Sequence, residues 1–205
     1  MGSTIIKKFQ DRKKVIQITP KYISGLRRTT DYGYADIFYH PKFISKEASN
    51  DNSTVKLFRT GSFNVLSLGD IESTHIASSL KKYRSIKNEV DVMILAHHGA
   101  NNGFTTDKLI KGIAPKAAIC TSNYDNQYEH PKQEFIDLLH RHKLKLFTSK
   151  SGDVSIYSSN GHYGIYKIDN LKAGSSEISS SHKFRSKKMR YLNVNADTLR
   201  ERYKK

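Results

Sequence analysis

The chain has 205 residues, with 35 Lys and Arg against 19 Asp and Glu, giving a formal net charge of +16. That length allows one full-sized domain, or one domain and a tail, and a single cysteine, Cys120, excludes an internal disulfide framework and suits a reducing compartment. No apolar run is long enough to cross a bilayer, no secretory leader is visible, and Ile6 breaks the myristoylation pattern that Gly2 would begin, so the composition predicts a soluble, cytoplasmic chain with no membrane role.

The chain opens on a basic stretch, KKFQDRKK, and VIQITPKYISG and YADIFYH then read as short extended segments rich in β-branched and aromatic residues. EASNDNS (47–53) is a loop by composition. TVKLFR and SFNVLSL flank Thr60-Gly61 and read as a hairpin. In THIASSLKKYRSI, Ile76, Leu80, Tyr83 and Ile86 fall at helical spacing, which predicts one helix over 74–86. VMILA and KAAICT are short, wholly apolar runs of the kind that form buried strands. Between them TTDKLIKGI carries a Thr cap and an apolar face, and PKQEFIDLLHRHK follows with proline in its first turn. LKLFT, VSIYS and YGIYKI add three strands up to about residue 168.

Strands alternating with helices predict an α/β layer, with one face of a sheet of about seven strands poorly covered or covered by something else. Three regions are expected: a basic segment over 1–13, a domain over 14–171, and a Ser-rich linker with a mobile basic tail over 172–205.

Two places carry chemistry. LSLGDIES is a strand that stops at Gly69, presents Asp70 and enters a helix; VMILAHHGANNG is an apolar strand that ends in His97-His98-Gly99. Functional groups in α/β sheets gather past the carboxyl ends of strands. Carboxylate oxygen and imidazole nitrogen are both zinc ligands, so Asp70 and one of His97 and His98 could converge on one cation. Asp70 alone could equally be a helix N-cap. Two imidazoles at the end of a buried strand cost desolvation unless something binds them. His130, in YEHPKQ at the mouth of a helix, could donate a proton or face a phosphate, or could serve only as a helix-entry residue. The cationic residues of the tail, Lys183, Arg185, Lys187, Lys188 and Arg190, are candidate contacts to DNA or RNA, and tyrosine at 12 positions offers rings for stacking on bases.

Taken as a series, LSLGDIES, VDVMILAHHGANNGFT, PKAAICTSNYDNQYEHPKQEFIDLL and SGDVSI resemble the hydrolase domain of ComEC-type competence proteins, within the metallo-β-lactamase superfamily. The similarity covers roughly residues 14–168 and is specific as a set, although each motif is weak alone. It implies an αββα sandwich holding two metal ions, zinc or manganese, and hydrolysis by a metal-activated water, often at phosphodiesters. By the same resemblance Asp70 would bridge the metals, His97 or His98 would bind one of them, and His130 would face the substrate.

The HxHxDH string that supplies most ligands in that family is absent, and the only HxH here, His140-Arg141-His142, lies inside a helix as a solvated face. The chain is therefore read as the C-terminal half of such a domain, a mixed sheet with helices on one face. The other half could be truncated away, supplied by a partner chain, or lost in a degenerate member kept for binding. Without it the site is expected to be inactive. A noncatalytic basic nucleic-acid-binding protein of the same fold is the competing reading.

Overall fold

A computed structural model describes residues 28–30, 33–41, 46–59, 63–125, 127–158 and 164–187. Ten strands and four α-helices lie in them. The strands are β1 (Arg28–Thr30), β2 (Gly33–Tyr39), β3 (Val55–Arg59), β4 (Asn64–Ser67), β5 (Val92–Ile94), β6 (Ala117–Cys120), β7 (Lys145–Thr148), β8 (Val154–Ser158), β9 (Ile165–Leu171) and β10 (Ile178–Arg185). The helices are α1 (Thr74–Leu80), α2 (Arg84–Glu89), α3 (Asp107–Ile113) and α4 (Gln133–Arg141).

Strands β1 to β7 form one mixed sheet in sequence order, antiparallel from β1 to β4 and parallel from β4 to β7. The parallel strands are short and apolar because both of their faces are covered. Successive side chains of a strand point to opposite faces. Accordingly Leu66, Met93, Ala118 and Cys120 pack into one cluster with Ile76, Leu80 and Ile86 of the first two helices, Leu109 and Ile113 of α3, and Phe135 and Leu139 of α4. Their neighbours Val65, Val92, Ala117 and Ile119 pack into a second cluster with Phe147, Tyr166 and Ile168. The helices thus cover one face. The other face meets a separate antiparallel sheet in the order β10-β9-β8. The architecture is α/β, a mixed sheet with helices on one face, as expected for half of an αββα sandwich.

Four features differ from the sequence reading. The helix expected over 74–86 is two helices, because Tyr83 is extended (φ −79°, ψ 117°) and interrupts the run. The last strands do not all extend one sheet: β8 and β9 belong to the second sheet, which covers the face that the helices leave. Within the stretch read as a mobile linker, Ile178–Arg185 is a strand paired along β9, and Phe184 stacks on Tyr166 at 5.4 Å. Its serines and basic residues gave no apolar alternation from which to read a strand.

Lys187 is the fourth. Its ammonium donates to the carbonyls of Lys87 and Ile113 at 2.8 Å and of Ala114 at 3.1 Å, closing the ends of α2 and α3. Its backbone N–H donates to Oδ1 of the fully buried Asp91 at 2.7 Å, while Asp91 Oδ2 accepts the Asn64 N–H at 2.9 Å. Burial pushes the Lys187 ammonium down to about 8. Lys187 ties the C-terminal segment to the domain and is not turned outward toward nucleic acid. Lys183 and Arg185 are exposed on β10, whereas Lys188 and Arg190 lie outside the described residues, as does the extended segment expected over 15–25.

Candidate functional site

The site forms where β4, β5 and β6 end side by side. Beyond β4 the chain turns at Gly69, whose φ of +58° is a left-handed conformation that costs an L-residue about 1–2 kcal/mol. A Cβ there would also lie 2.8 Å from Ser53 Cβ. That close approach lets Ser53 Oγ accept the Asp70 N–H at 3.0 Å. Asp51 Oδ1 accepts the N–H groups of Glu72 and Ser73, at 2.8 and 3.0 Å, at the start of α1. The segment read only as a loop therefore fixes the backbone around Asp70 through side chains about twenty positions earlier.

Beyond β5, His97 (φ 44°), His98 (φ 55°) and Gly99 (φ 81°) are left-handed in succession. Such backbone persists in non-glycine residues only where the surroundings impose it, and it concentrates at functional sites. Two contacts impose it here: the His97 N–H donates to the Gly69 carbonyl at 2.9 Å, and the buried thiol of Cys120 donates to the His98 carbonyl at 3.0 Å. Burial pushes that thiol above its ordinary pKa, so it stays protonated and able to donate.

The turn aims the two imidazoles differently. His98 Nδ1 lies 2.9 Å from the Thr121 carbonyl, and Nε2 lies 3.6 Å from Asp70 Oδ1. A carbonyl only accepts, so Nδ1 carries the proton and, in the neutral ring, Nε2 presents its lone pair to the carboxylate. Two acceptors facing each other attract only through a cation or an extra proton between them. Two ligands of a tetrahedral zinc, each about 2.0–2.1 Å from the ion, stand about 3.3–3.4 Å apart, so this pair fits one ion with a shift of a few tenths of an ångström. A ring nitrogen donating to a backbone carbonyl is also the usual support of a metal-binding histidine. His97 is aimed elsewhere, with Nδ1 2.5 Å from Glu72 Oε1. Between the two histidines that sequence left open, it is thus His98 that reaches Asp70.

His130 joins this group. Its ring centroid is 5.8 Å from that of His97, and Tyr128 stacks on its ring at 5.9 Å. Burial, then the positive charge of His97, His98, Lys132 and Lys150, holds its imidazole below the ordinary histidine range. It lines two cavities: one of about 260 Å³ with His98, Thr121, Ser122 and Tyr128, and one of about 420 Å³ with Glu72, His97 and Lys132. Asp70, His97, His98 and His130 are therefore brought together. Lys183 and Arg185 project from the second sheet. His142 of the HxH string at the end of α4 pairs with Asp107 at 2.7 Å. Among the described residues no group of three or more His, Cys, Asp or Glu is gathered tightly enough to hold a metal ion. A catalytic zinc normally takes three protein ligands, so Asp70 and His98 alone would be an incomplete donor set.

With this fold and this strand-end cluster, the chain is related at low identity to ComEC-type competence proteins. It is 28% identical to ComE operon protein 3 of Bacillus subtilis over 136 residues, which is 65% of this chain and 17% of that protein. It is 29% identical to Recombination protein 2 of Haemophilus influenzae over 57% of this chain and 14% of that protein. It is 26% identical to competence protein ComA of Neisseria gonorrhoeae over 65% of this chain and 20% of that protein. No protein-family profile matches the chain. The chain thus corresponds to a fifth or less of each of these relatives.

Similarity to ComE operon protein 3, Recombination protein 2 and competence protein ComA corrects the cytoplasmic placement expected from composition. Composition and a lone cysteine do not fix the compartment of a chain related to such proteins. Among the described residues no helix is long and apolar enough to cross a membrane.

Proposed function

We propose that this chain supplies one half of a metal-dependent phosphodiesterase of the metallo-β-lactamase superfamily, acting on nucleic acid. The observation that carries the reading is the facing pair of acceptors, Asp70 Oδ1 and His98 Nε2, 3.6 Å apart, with His98 Nδ1 committed to the Thr121 carbonyl. In this reading Asp70 and His98 hold one cation, zinc or manganese, and the remaining ligands, including those of a second ion, come from an HxHxDH-bearing half on a partner chain or elsewhere in a longer polypeptide. A divalent cation bound there supplies Lewis acidity toward a phosphoryl oxygen and an acidified water. The residues of this chain do the rest. Glu72 orients His97, and the Gly69 carbonyl holds the His97 backbone in register with Asp70. His130 lines both cavities, where an imidazole N–H can donate a hydrogen bond to a phosphoryl oxygen. Similarity to competence proteins and the net charge of +16 support a nucleic-acid substrate.

The test combines this chain with an HxHxDH-bearing half and follows manganese-dependent cleavage of bis-(p-nitrophenyl) phosphate and of labelled DNA. Activity only in the combination, lost by at least about a hundredfold in Asp70→Asn and His98→Ala, is the expected result. Full activity in Asp70→Asn would refute it. The competing reading, a noncatalytic binder, rests on Lys183 and Arg185 exposed on β10. It predicts salt-sensitive nucleic-acid binding that needs neither a metal nor Asp70.

A further inference from the structure

We propose that Tyr128 is a base-stacking platform that makes this site select unpaired nucleotides over duplex. Tyr128 lies on the segment between β6 and α4, at the rim of the cavity that His98, Thr121, Ser122 and His130 also line. Its ring is nearly parallel to that of His130, with 15° between the planes and centroids 5.9 Å apart. The His130 ring therefore lies offset against one face of the phenol. Yet the residue is 62% exposed, so the opposite face is open to solvent. An aromatic ring held by a stack on one side and wet on the other costs little further ordering when a second flat ring lands on it.

The surroundings fit a nucleotide. Thr121, Ser122 and Asn123 line the same cavity with hydroxyl and amide groups that can bond to a sugar or a base edge. On its far side His98 leads to Asp70, the place where a scissile phosphate would sit. The cavity, of about 260 Å³, offers room for a nucleotide-sized group beside Tyr128. A base in a duplex has both faces covered by its neighbours and cannot reach Tyr128 without being unstacked, whereas an unpaired base offers a free face to any aromatic ring, whatever its identity. Tyr128 is thus a specificity-determining residue and takes no part in proton transfer.

The inference deepens the phosphodiesterase reading and rests on it for the position of the phosphate, but binding tests it without hydrolysis. The full 205-residue chain is titrated, in fluorescence anisotropy at fixed salt, with a labelled 12-nucleotide mixed-sequence single strand as DNA and as RNA. The same is done with its duplex and with a strand carrying abasic sites throughout. The wild type is expected to bind both single strands at least about fivefold more tightly than the abasic strand. Tyr128→Ala should lose that difference, Tyr128→Phe should keep it, and neither should alter duplex binding. A Tyr128→Ala protein that still prefers the base-bearing strand as strongly as wild type overturns the proposal. So does a wild type that binds the intact and abasic strands equally, or neither. Loss of cleavage in the reconstituted enzyme with the stacking preference retained would instead strike the phosphodiesterase reading and leave Tyr128 in its role.

Discussion

Replacing Gly69 with alanine tests how tightly the turn that presents Asp70 is built. Two separate costs are legible. The backbone at Gly69 has φ +58°, which costs an L-residue about 1–2 kcal/mol. The new methyl group would lie 2.8 Å from Ser53 Cβ and 3.1 Å from Ser53 Oγ, an overpacking of the kind that costs about 1–3 kcal/mol. The loss of backbone freedom in the unfolded chain returns about 0.4–1 kcal/mol. The expected net destabilisation is therefore about 1–4.5 kcal/mol, measured by urea unfolding followed by far-ultraviolet circular dichroism. The two costs separate in a double-mutant cycle with Ser53→Gly, which removes the clashing side chain and leaves φ untouched. Compared with the Ser53→Gly single variant, Gly69→Ala should then cost about 1 kcal/mol or a little more, so that at least about 1 kcal/mol of coupling appears between the two positions. A Gly69→Ala protein within about 0.5 kcal/mol of wild type, or a coupling indistinguishable from zero, would refute the described packing of the Asp70 turn.

Two further outcomes follow from the buried knot at Asp91. Asp91→Ala leaves the buried N–H groups of Asn64 and Lys187 without their acceptors and should cost about 2–4 kcal/mol in the same unfolding assay, whereas a surface control such as Asp137→Ala should stay within about 0.5 kcal/mol. The Lys187 ammonium is depressed to about 8 in the fold from an ordinary 10.5, so the unfolded chain holds its proton more strongly. Stability should therefore rise with pH between about 8 and 10.5, and Lys187→Met, which keeps the stem and removes the charge, should flatten that rise. An equal slope in the two proteins would contradict the inward placement of Lys187.

The parts of the molecule legible from sequence were those in which local chemistry and tertiary environment agree. VMILA and KAAICT read as strands because strands buried on both faces are apolar throughout, and Thr106 read as a cap because its hydroxyl does accept the Leu109 N–H, at 3.2 Å. Asp70 and the histidine pair stood out because polar groups follow abruptly on apolar runs. Which imidazole faces Asp70 was not legible, since it depends on the left-handed backbone at His97 and His98 and on a bond from His98 to a carbonyl 23 positions away. The same holds for the contact between Glu72 and His97, which no local pattern marks. Strand β10 was missed because Ser180, Ser181 and Lys183 show no apolar alternation; backbone pairing with β9 and the packing of Phe184 hold it in place. Lys187 read as a surface charge because its partners are carbonyl groups at the ends of two helices, which no side-chain pattern announces.

The pairing of Asp70 with His98 around one cation can be tested on this chain alone by adding Mn²⁺ to isotope-labelled protein and following paramagnetic line broadening. Two ligands bind weakly, so millimolar metal is required. The expected result is broadening centred on Asp70, His98 and Thr121, spreading to His97 and His130 and sparing β9 and β10, and abolished in Asp70→Asn and in His98→Ala. Broadening that is scattered over the acidic surface, or that persists around His98 when Asp70 is replaced, would contradict it.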